Sequence, residues 1–289
     1  MVKLADNSQV YEYSVEDLKR VATRIRRHII EMVYSAKSGH PGGSLSITDV
    51  LTVLYFREMR IDPQNPDDPR RDRLIMSKGH ASPALYATLA VRGFFPPEEL
   101  LTGFRKLNSK LEGHVHRGGV PGVEASTGSL GGQGLGIGIG MGLAARLNNL
   151  DYHVYVILGD GEIQEGGNVW ESLMAGFKYR VSNVTAILDR NGVQLDGFTK
   201  DVMPVNDIKA MVEGFGWKVL EIDGHNYDQI ISAIEFCKSY RDGPTFIIAN
   251  TVKGKGVSYM ENNPKYHGSP PANEEEYRKA LSELTLEGA

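Results

Sequence analysis

The 289-residue sequence predicts an α/β fold, a doubly wound and mostly parallel sheet with helices on both faces. Three observations carry this. Between Tyr152 and Asn250 four strand-like runs alternate with helical ones, the pattern of βαβ units. A fifth short apolar run, Arg73 to Ser77, reads as a further buried strand. The composition, 24% charged and 41% hydrophobic, is that of a globular chain.

The elements follow in order. Ser14 with Asp17 at the N3 position is a helix start, opening a run from Val15 to Lys37 that Gly39 ends. A second helix is expected over Ser46 to Arg60, after the Gly-Pro-rich patch 39–43. The three prolines and many charges between Asp62 and Arg73 read as a surface loop. Pro83 to Arg92 is helical, and Pro96-Pro97 starts another helix. Residues 108–132 are glycine-rich and aperiodic, hence loop. Gln133 to Leu150 reads as a helix, although Gly134, Gly136, Gly138, Gly140 and Gly142 interrupt it. Each glycine costs a helix about 1 kcal/mol relative to Ala, so close packing or approach to a ligand must offset them. Strands are then expected at 152–158, 183–189, 217–222 and 244–250, and helices at 166–180, 207–215 and 227–240. The tail from Asn273 to Leu286 is an amphipathic helix that packs on the domain or meets a partner. Residues 1–289 are read as one domain, with a helical extension at about 1–38 and a tail at about 270–289.

Composition removes several function classes. The 32 Lys and Arg nearly balance 36 Asp and Glu, which argues against a nucleic-acid-binding surface. The lone Cys237 excludes an internal disulfide and fits a reducing compartment, so a cytoplasmic location is expected. No charged-then-apolar leader opens the chain. The uncharged stretch 129–145 is too short and glycine-rich for a membrane span. Neither nucleic acid nor membrane is an expected partner.

Familiar catalytic motifs are also missing. The third glycine of a dinucleotide fingerprint is replaced by Ile139 or Gln164, and Gly254-Lys255 is followed by Gly256 rather than by a Walker hydroxyl. His114 and His116 have no accompanying zinc motif, and no Gly-x-Ser-x-Gly elbow is present.

What remains is Gly159-Asp160-Gly161 at one strand end and Asn191-Gly192 at the next. One crossover separates them, which sets them side by side at the carboxyl edge of the sheet, where ligands bind in such folds. The loops after Leu158, Asp189, Ile222 and Asn250 are therefore the ones to inspect. The Asp160 carboxylate and Asn191 amide oxygen are hard ligands suited to Mg²⁺ together with phosphate oxygens and water. Gly161 allows a diphosphate to approach the backbone. The competing reading is that both residues only cap helices or make turns, as Asp-Gly and Asn-Gly often do.

Gly-Asp-Gly with an Asn about thirty residues on resembles the signature of thiamine-diphosphate enzymes. Four further segments resemble transketolase in particular: Lys37-Ser-Gly-His-Pro-Gly-Gly43, Met76-Ser-Lys-Gly-His-Ala81, Gly113-His-Val-His116 leading to Pro121–Leu130, and Tyr266-His-Gly268. The run Gly128-Ser-Leu-Gly-Gly-Gln-Gly134 carries one glycine more than the family's usual form. The resemblance implies the thiamine diphosphate-binding fold. It implies that Asp160, Asn191 and the Val193 carbonyl hold Mg²⁺, with Ca²⁺ or Mn²⁺ as substitutes. His80, Gly128, Ser129, Leu130, Asp160, Gly161, Asn191 and His267 would contact the cofactor. His40 and His267 would handle the proton on the donor hydroxyl, His114 would bind a donor oxygen, and Glu165 would link paired active sites beside the cofactor. Histidine suits such transfers because its unperturbed pKa is about 6.5. His28, His153 and His225 match no family position.

A complete transketolase is about twice as long, and its pyrimidine-binding half has no counterpart here. The resemblance therefore implies the N-terminal subunit of a split transketolase of the pentose phosphate pathway, inactive alone. A C-terminal subunit would complete it, as a heterotetramer acting on sugar phosphates. The alternatives are a transketolase for an unusual sugar and a 2-oxo acid dehydrogenase E1 alpha chain. The latter is not expected to carry the Ser-Gly-His-Pro-Gly, Lys-Gly-His-Ala and Tyr-His-Gly segments.

Overall fold

A computed structural model describes residues 13–128 and 132–285. Helix α1 (Val15–Ala36) begins as the sequence requires. The Ser14 hydroxyl accepts from the Asp17 amide, and the Asp17 carboxylate accepts from the Ser14 amide, each at 3.1 Å. Its end differs from expectation: Lys37 adopts the left-handed cap conformation, φ 53°, two residues before Gly39. Helix α2 spans Pro41–Val53 and passes into a π-turn at Leu54–Glu58. It starts five residues earlier than the expected Ser46, because Pro41 takes the first-turn position where its missing N–H costs nothing. The glycines after it let the helix press against the chain near its end: a Cβ on Gly42 would lie 2.7 Å from the Tyr266 carbonyl oxygen.

Strand β1 (Arg73–Met76), α3 (Ser82–Arg92) and α4 (Glu98–Gly103) follow. After a long loop come α5 (Gln133–Leu147) and β2 (Val154–Gly159). The expected helix over 166–180 is α7 (Gly167–Tyr179), and a further short helix, α6 (Asp160–Glu165), precedes it, so the helical turn begins at Asp160 itself. Next come β3 (Val184–Arg190), a small hairpin of β4 (Val193–Gln194) and β5 (Gly197–Phe198), α8 (Thr199–Val202) and α9 (Ile208–Gly214). Strand β6 (Lys218–Asp223), α10 (Tyr227–Ser239), β7 (Thr245–Asn250) and α11 (Glu274–Glu283) complete the series. The hairpin and α8 lack enough periodicity to be seen in sequence.

Five strands form one sheet in the order β1-β2-β3-β7-β6, every pair parallel. Successive side chains of a strand point to opposite faces, so the sheet divides two apolar cores. Leu74, Met76, Tyr155, Ile157, Ile187 and Ile247 join the core that holds residues of α1, α2, α3 and α10. Ile75, Val154, Val156, Leu158, Val184 and Ala186 join the core that holds residues of α5, α7 and α9.

The glycines of α5 serve this second core. A Cβ on Gly138 would lie 2.5 Å from Val156 Cγ2, and one on Gly142 2.5 Å from Val184 Cγ2, so the helix axis sits closer to the sheet than any side chain allows. Gly140 points into open space. Helix α11 packs on α1: Arg27 donates to the Leu281 and Leu284 carbonyls at 2.9 Å, and Tyr277 stacks on Tyr34 at 4.2 Å. Among the described residues, no helix is long and apolar enough to cross a membrane.

Candidate cofactor site

Four neighbouring strands deliver polar groups at their carboxyl ends: β1 leads to Lys78 and His80, β2 to Asp160, β3 to Asn191 and β7 to Lys253. Together they wall a cavity of about 270 Å³. His40, His80, His114, Asp160, Gly161, Glu165, Asn191, Val193 and His267 line it, nine of the residues singled out by sequence. Gly128 does not; its carbonyl abuts Gly79 in the turn that carries His80. Ser129 and Leu130 lie outside the described residues.

The histidines arrive from four separate segments. His40 stands before α2, His80 in the turn after β1, His114 in the long loop and His267 after a turn at Pro264–Tyr266. Ring centroids of His40 and His80 are 5.3 Å apart, His40 and His114 5.9 Å, His40 and His267 5.6 Å, and His80 and His267 5.2 Å. Burial, then the nearby Arg105, His114 and Lys253, lowers the pKa of His40 to about 4. Burial, then Lys253, His40 and Lys78, lowers His267 to about 3. His80 and His114 are lowered as well, both first by burial. The unperturbed value of about 6.5 therefore does not hold here: the cluster is neutral at pH 7 and offers imidazole donors and acceptors. A bound diphosphate would act in the opposite direction, favouring the protonated rings.

The Asp160 carboxylate accepts from the Gly192 amide, and Asn191 Oδ1 accepts from the Val193 amide at 3.1 Å. The Asn191 amide group donates to Asp189 Oδ2 at 2.9 Å, which fixes which end of the side chain is the oxygen. Burial raises the Asp160 pKa to about 6. Glu162, behind it, is raised to about 7 by burial and accepts from the Ser77 hydroxyl and the Gly159 amide. Glu165 is exposed at the rim and raised by desolvation and by Asp196.

Two lysines belong to this site although sequence reasoning passed over them. Lys78 Nζ donates to the Gly43 carbonyl at 2.7 Å and pairs with Asp189. Lys253 Nζ donates to the Val193 carbonyl at 2.7 Å and meets His267 Nδ1 at 2.8 Å. Lys253 is 2% exposed, and burial, reinforced by Lys78, lowers its pKa to about 7. Lys78 lies inside the Met76–Ala81 segment and Lys253 in the loop after Asn250, but neither matches a phosphate-binding sequence pattern.

The residues fit a metal and a diphosphate. His40 Nδ1 is buried with no hydrogen-bond partner, which a bound ligand would relieve. Asp160, Asn191 and the Val193 carbonyl, whose second lone pair is left by Lys253, form an all-oxygen donor set carrying one negative charge, incomplete without phosphate oxygens and water, as Mg²⁺ prefers. Among the described residues no group of three His, Cys, Asp or Glu side chains forms an all-side-chain metal cage.

Residues 18–287 match the family model described as transketolase, thiamine diphosphate binding domain. The chain is 43% identical to a 6-deoxy-6-sulfo-D-fructose transketolase subunit of Clostridium sp. (strain MSTE9), over 94% of this chain and 98% of that one. It is 42% identical to an apulose-4-phosphate transketolase subunit of Phocaeicola vulgatus, over 94% and 95%. Human transketolase is 37% identical over 90% of this chain, which spans 41% of the human protein. The crystal structure of Campylobacter jejuni transketolase superimposes with a TM-score of 0.86 at 34% identity, covering 94% of this chain and 43% of that one. The ordered motifs, the parallel sheet and the near end-to-end match to subunit-length relatives agree: the chain belongs to the transketolase family, in its thiamine diphosphate-binding part.

Proposed function

We propose that this chain is the N-terminal subunit of a split transketolase. With a C-terminal subunit it transfers a two-carbon ketol unit from a ketose phosphate to an aldose phosphate. The observation that carries this reading is the single cavity in which Asp160, Asn191 and the Val193 carbonyl meet His40, His80, His114 and His267. Residues 1–289 act as one diphosphate-binding domain, with the extension at 1–38 and the tail at 270–289. The assembly is a cytoplasmic heterotetramer of the pentose phosphate pathway, without nucleic acid or membrane.

Thiamine diphosphate, when bound, supplies the carbon nucleophile. The chain's own residues do the rest. Asp160, Asn191 and the Val193 carbonyl hold Mg²⁺, or Ca²⁺ or Mn²⁺ in its place. Lys78, Lys253 and His80 serve the diphosphate end as hydrogen-bond donors, and a bound diphosphate would favour their protonated forms. Gly161 lines the cavity for the cofactor; Gly128, Ser129 and Leu130 are assigned to it by the resemblance alone. His40 and His267 hold and move the proton on the donor hydroxyl, and His114 binds a donor oxygen. Glu165, at the rim, meets the second active site of the assembly.

One observation favours a more specialised substrate: two relatives at subunit length are named for 6-deoxy-6-sulfo-D-fructose and apulose 4-phosphate. A transketolase for an unusual sugar is therefore the second reading. Ketol transfer assayed with and without a purified C-terminal subunit, across ordinary ketose phosphates, apulose 4-phosphate and 6-deoxy-6-sulfo-D-fructose, tests both. Robust turnover by the lone chain would defeat the split reading. Turnover restricted to a modified sugar would select the second.

A further inference from the structure

His225, in the loop after β6, lies outside the cavity and matched no family position, yet both its ring nitrogens are engaged. Nε2 accepts from the Val252 amide at 2.9 Å. That nitrogen must therefore be unprotonated, so Nδ1 carries the proton and donates to Asp49 Oδ2 at 2.7 Å. Asp49 is itself immobilised. Arg26 donates to both its oxygens, at 2.9 and 2.8 Å, and the Tyr227 hydroxyl donates to Oδ1 at 2.7 Å. The His225 amide donates to Asp223 Oδ1 at 2.9 Å, fixing the loop as well as the ring.

Val252 directly precedes Lys253, whose ammonium reaches the Val193 carbonyl and His267. The next residue is held too, the Gly254 amide donating to the Gly42 carbonyl at 3.0 Å. A contiguous chain of bonds thus runs from α1 and α2 through an imidazole to the backbone that aims a cation into the cavity.

We propose that His225 is a positioning residue for the cofactor site: clamped by Asp49 in one tautomer, it fixes the Val252 amide and thereby places Lys253 against the Val193 carbonyl and His267. As regards the ligand, a metal-bound diphosphate, the inference rests on the function proposed above. Direct partners of a metal ligand, as Lys253 is of the Val193 carbonyl, change affinity by about 10–100-fold when removed; His225 acts one step further out, so about tenfold is the most expected of it.

Two variants of the full chain separate positioning from mere packing. The amide of His225→Gln reaches the Nε2 position and keeps an acceptor for Val252. The amide of His225→Asn reaches the Nδ1 position, keeps a donor for Asp49 and leaves Val252 unbonded. Amide exchange at Val252 and acetylation of Lys253 are measured by mass spectrometry on the chain without cofactor. Affinity for thiamine diphosphate with Mg²⁺ is measured by calorimetry after assembly with the C-terminal subunit.

The expected result for His225→Asn is exchange about tenfold faster, the size of one lost hydrogen bond, with faster Lys253 acetylation and affinity lower by about tenfold. His225→Gln, which keeps the Val252 bond but loses the Asp49 clamp, should show clearly smaller changes than His225→Asn in all three. Unchanged exchange and acetylation in His225→Asn, or two variants that behave alike, would overturn the proposal. If His225→Asn does not fold, His225→Gln decides alone: lost affinity despite a protected Val252 amide refutes it, and retained affinity with retained protection supports it. If the wild-type assembly does not bind thiamine diphosphate, the proposed function fails, while the exchange and acetylation results still judge the role of His225.

Discussion

Asp49 and Asp160 are buried to the same degree, 4% and 5% exposed, but their surroundings are built differently. Around Asp49 the chain supplies its own cation: burial would raise the carboxyl, yet Arg26 and His225 hold it well below the usual range. Around Asp160 burial prevails and the pKa rises to about 6, with Asp189 adding to the rise. Only backbone amides and the more distant Lys253 oppose it. A buried charge matched within the chain is structural. One left under-compensated beside other hard oxygen donors is the setting that the proposed cation requires.

The contrast can be broken most directly at Asp160. Asp160→Ala should abolish Mg²⁺-dependent binding of thiamine diphosphate to the assembled enzyme while the thermal midpoint holds or rises, since a poorly compensated carboxylate is removed. Calorimetry and melting curves on the same preparation check this; unchanged affinity would end the metal assignment. Asp49→Ala should act first on stability, leaving Arg26 buried without its partner at a cost of about 3–5 kcal/mol, read from urea unfolding, with only the smaller loss of affinity that follows from freeing His225.

pH separates the two regions further. As pH falls through about 6, Asp160 takes a proton, so affinity for the cofactor with Mg²⁺ should decline. The folded pKa values of His40 and His267, about 4 and about 3, lie below the ordinary 6.5. Their contribution to stability is thus fully present above pH 6.5 and is lost as pH falls through those folded values. Asp160 and Glu162, whose pKa values are raised, act in the opposite direction over the same range, so the check is a difference: between pH 7 and pH 4 the midpoint of His40→Asn should fall less, or rise more, than that of the wild type.

The smallest effects test filled against open space on α5. Gly138→Ala meets Val156 and should destabilise by about 1–3 kcal/mol. Gly140→Ala meets nothing within 4 Å and should stabilise by up to about 1 kcal/mol. Equal changes at the two positions would refute the packing account of these glycines.

Much was legible in the linear sequence because the signals are local. Strand runs, the Ser14 cap and the alternation from Tyr152 onward depend on near neighbours, and each became an element within a few residues of its expected place. The early start of α2 was missed because Gly42 and Gly43 are poor helix formers that tertiary contact made acceptable. In the sequence alone the glycines of α5 signal close packing or a ligand. The fold chose packing at Gly138 and Gly142, which is decided by the distance to β2 and β3.

The sequence by itself determined the parallel α/β architecture, the family and most of the cavity lining, since motifs at strand ends are carried to one edge by topology alone. Only the tertiary structure decided the electrostatics. Lys78 and Lys253 enter the site, four histidines become neutral, and His225 connects Asp49 to the loop behind Lys253, because desolvation and hydrogen bonding depend on groups distant in the chain and adjacent in space.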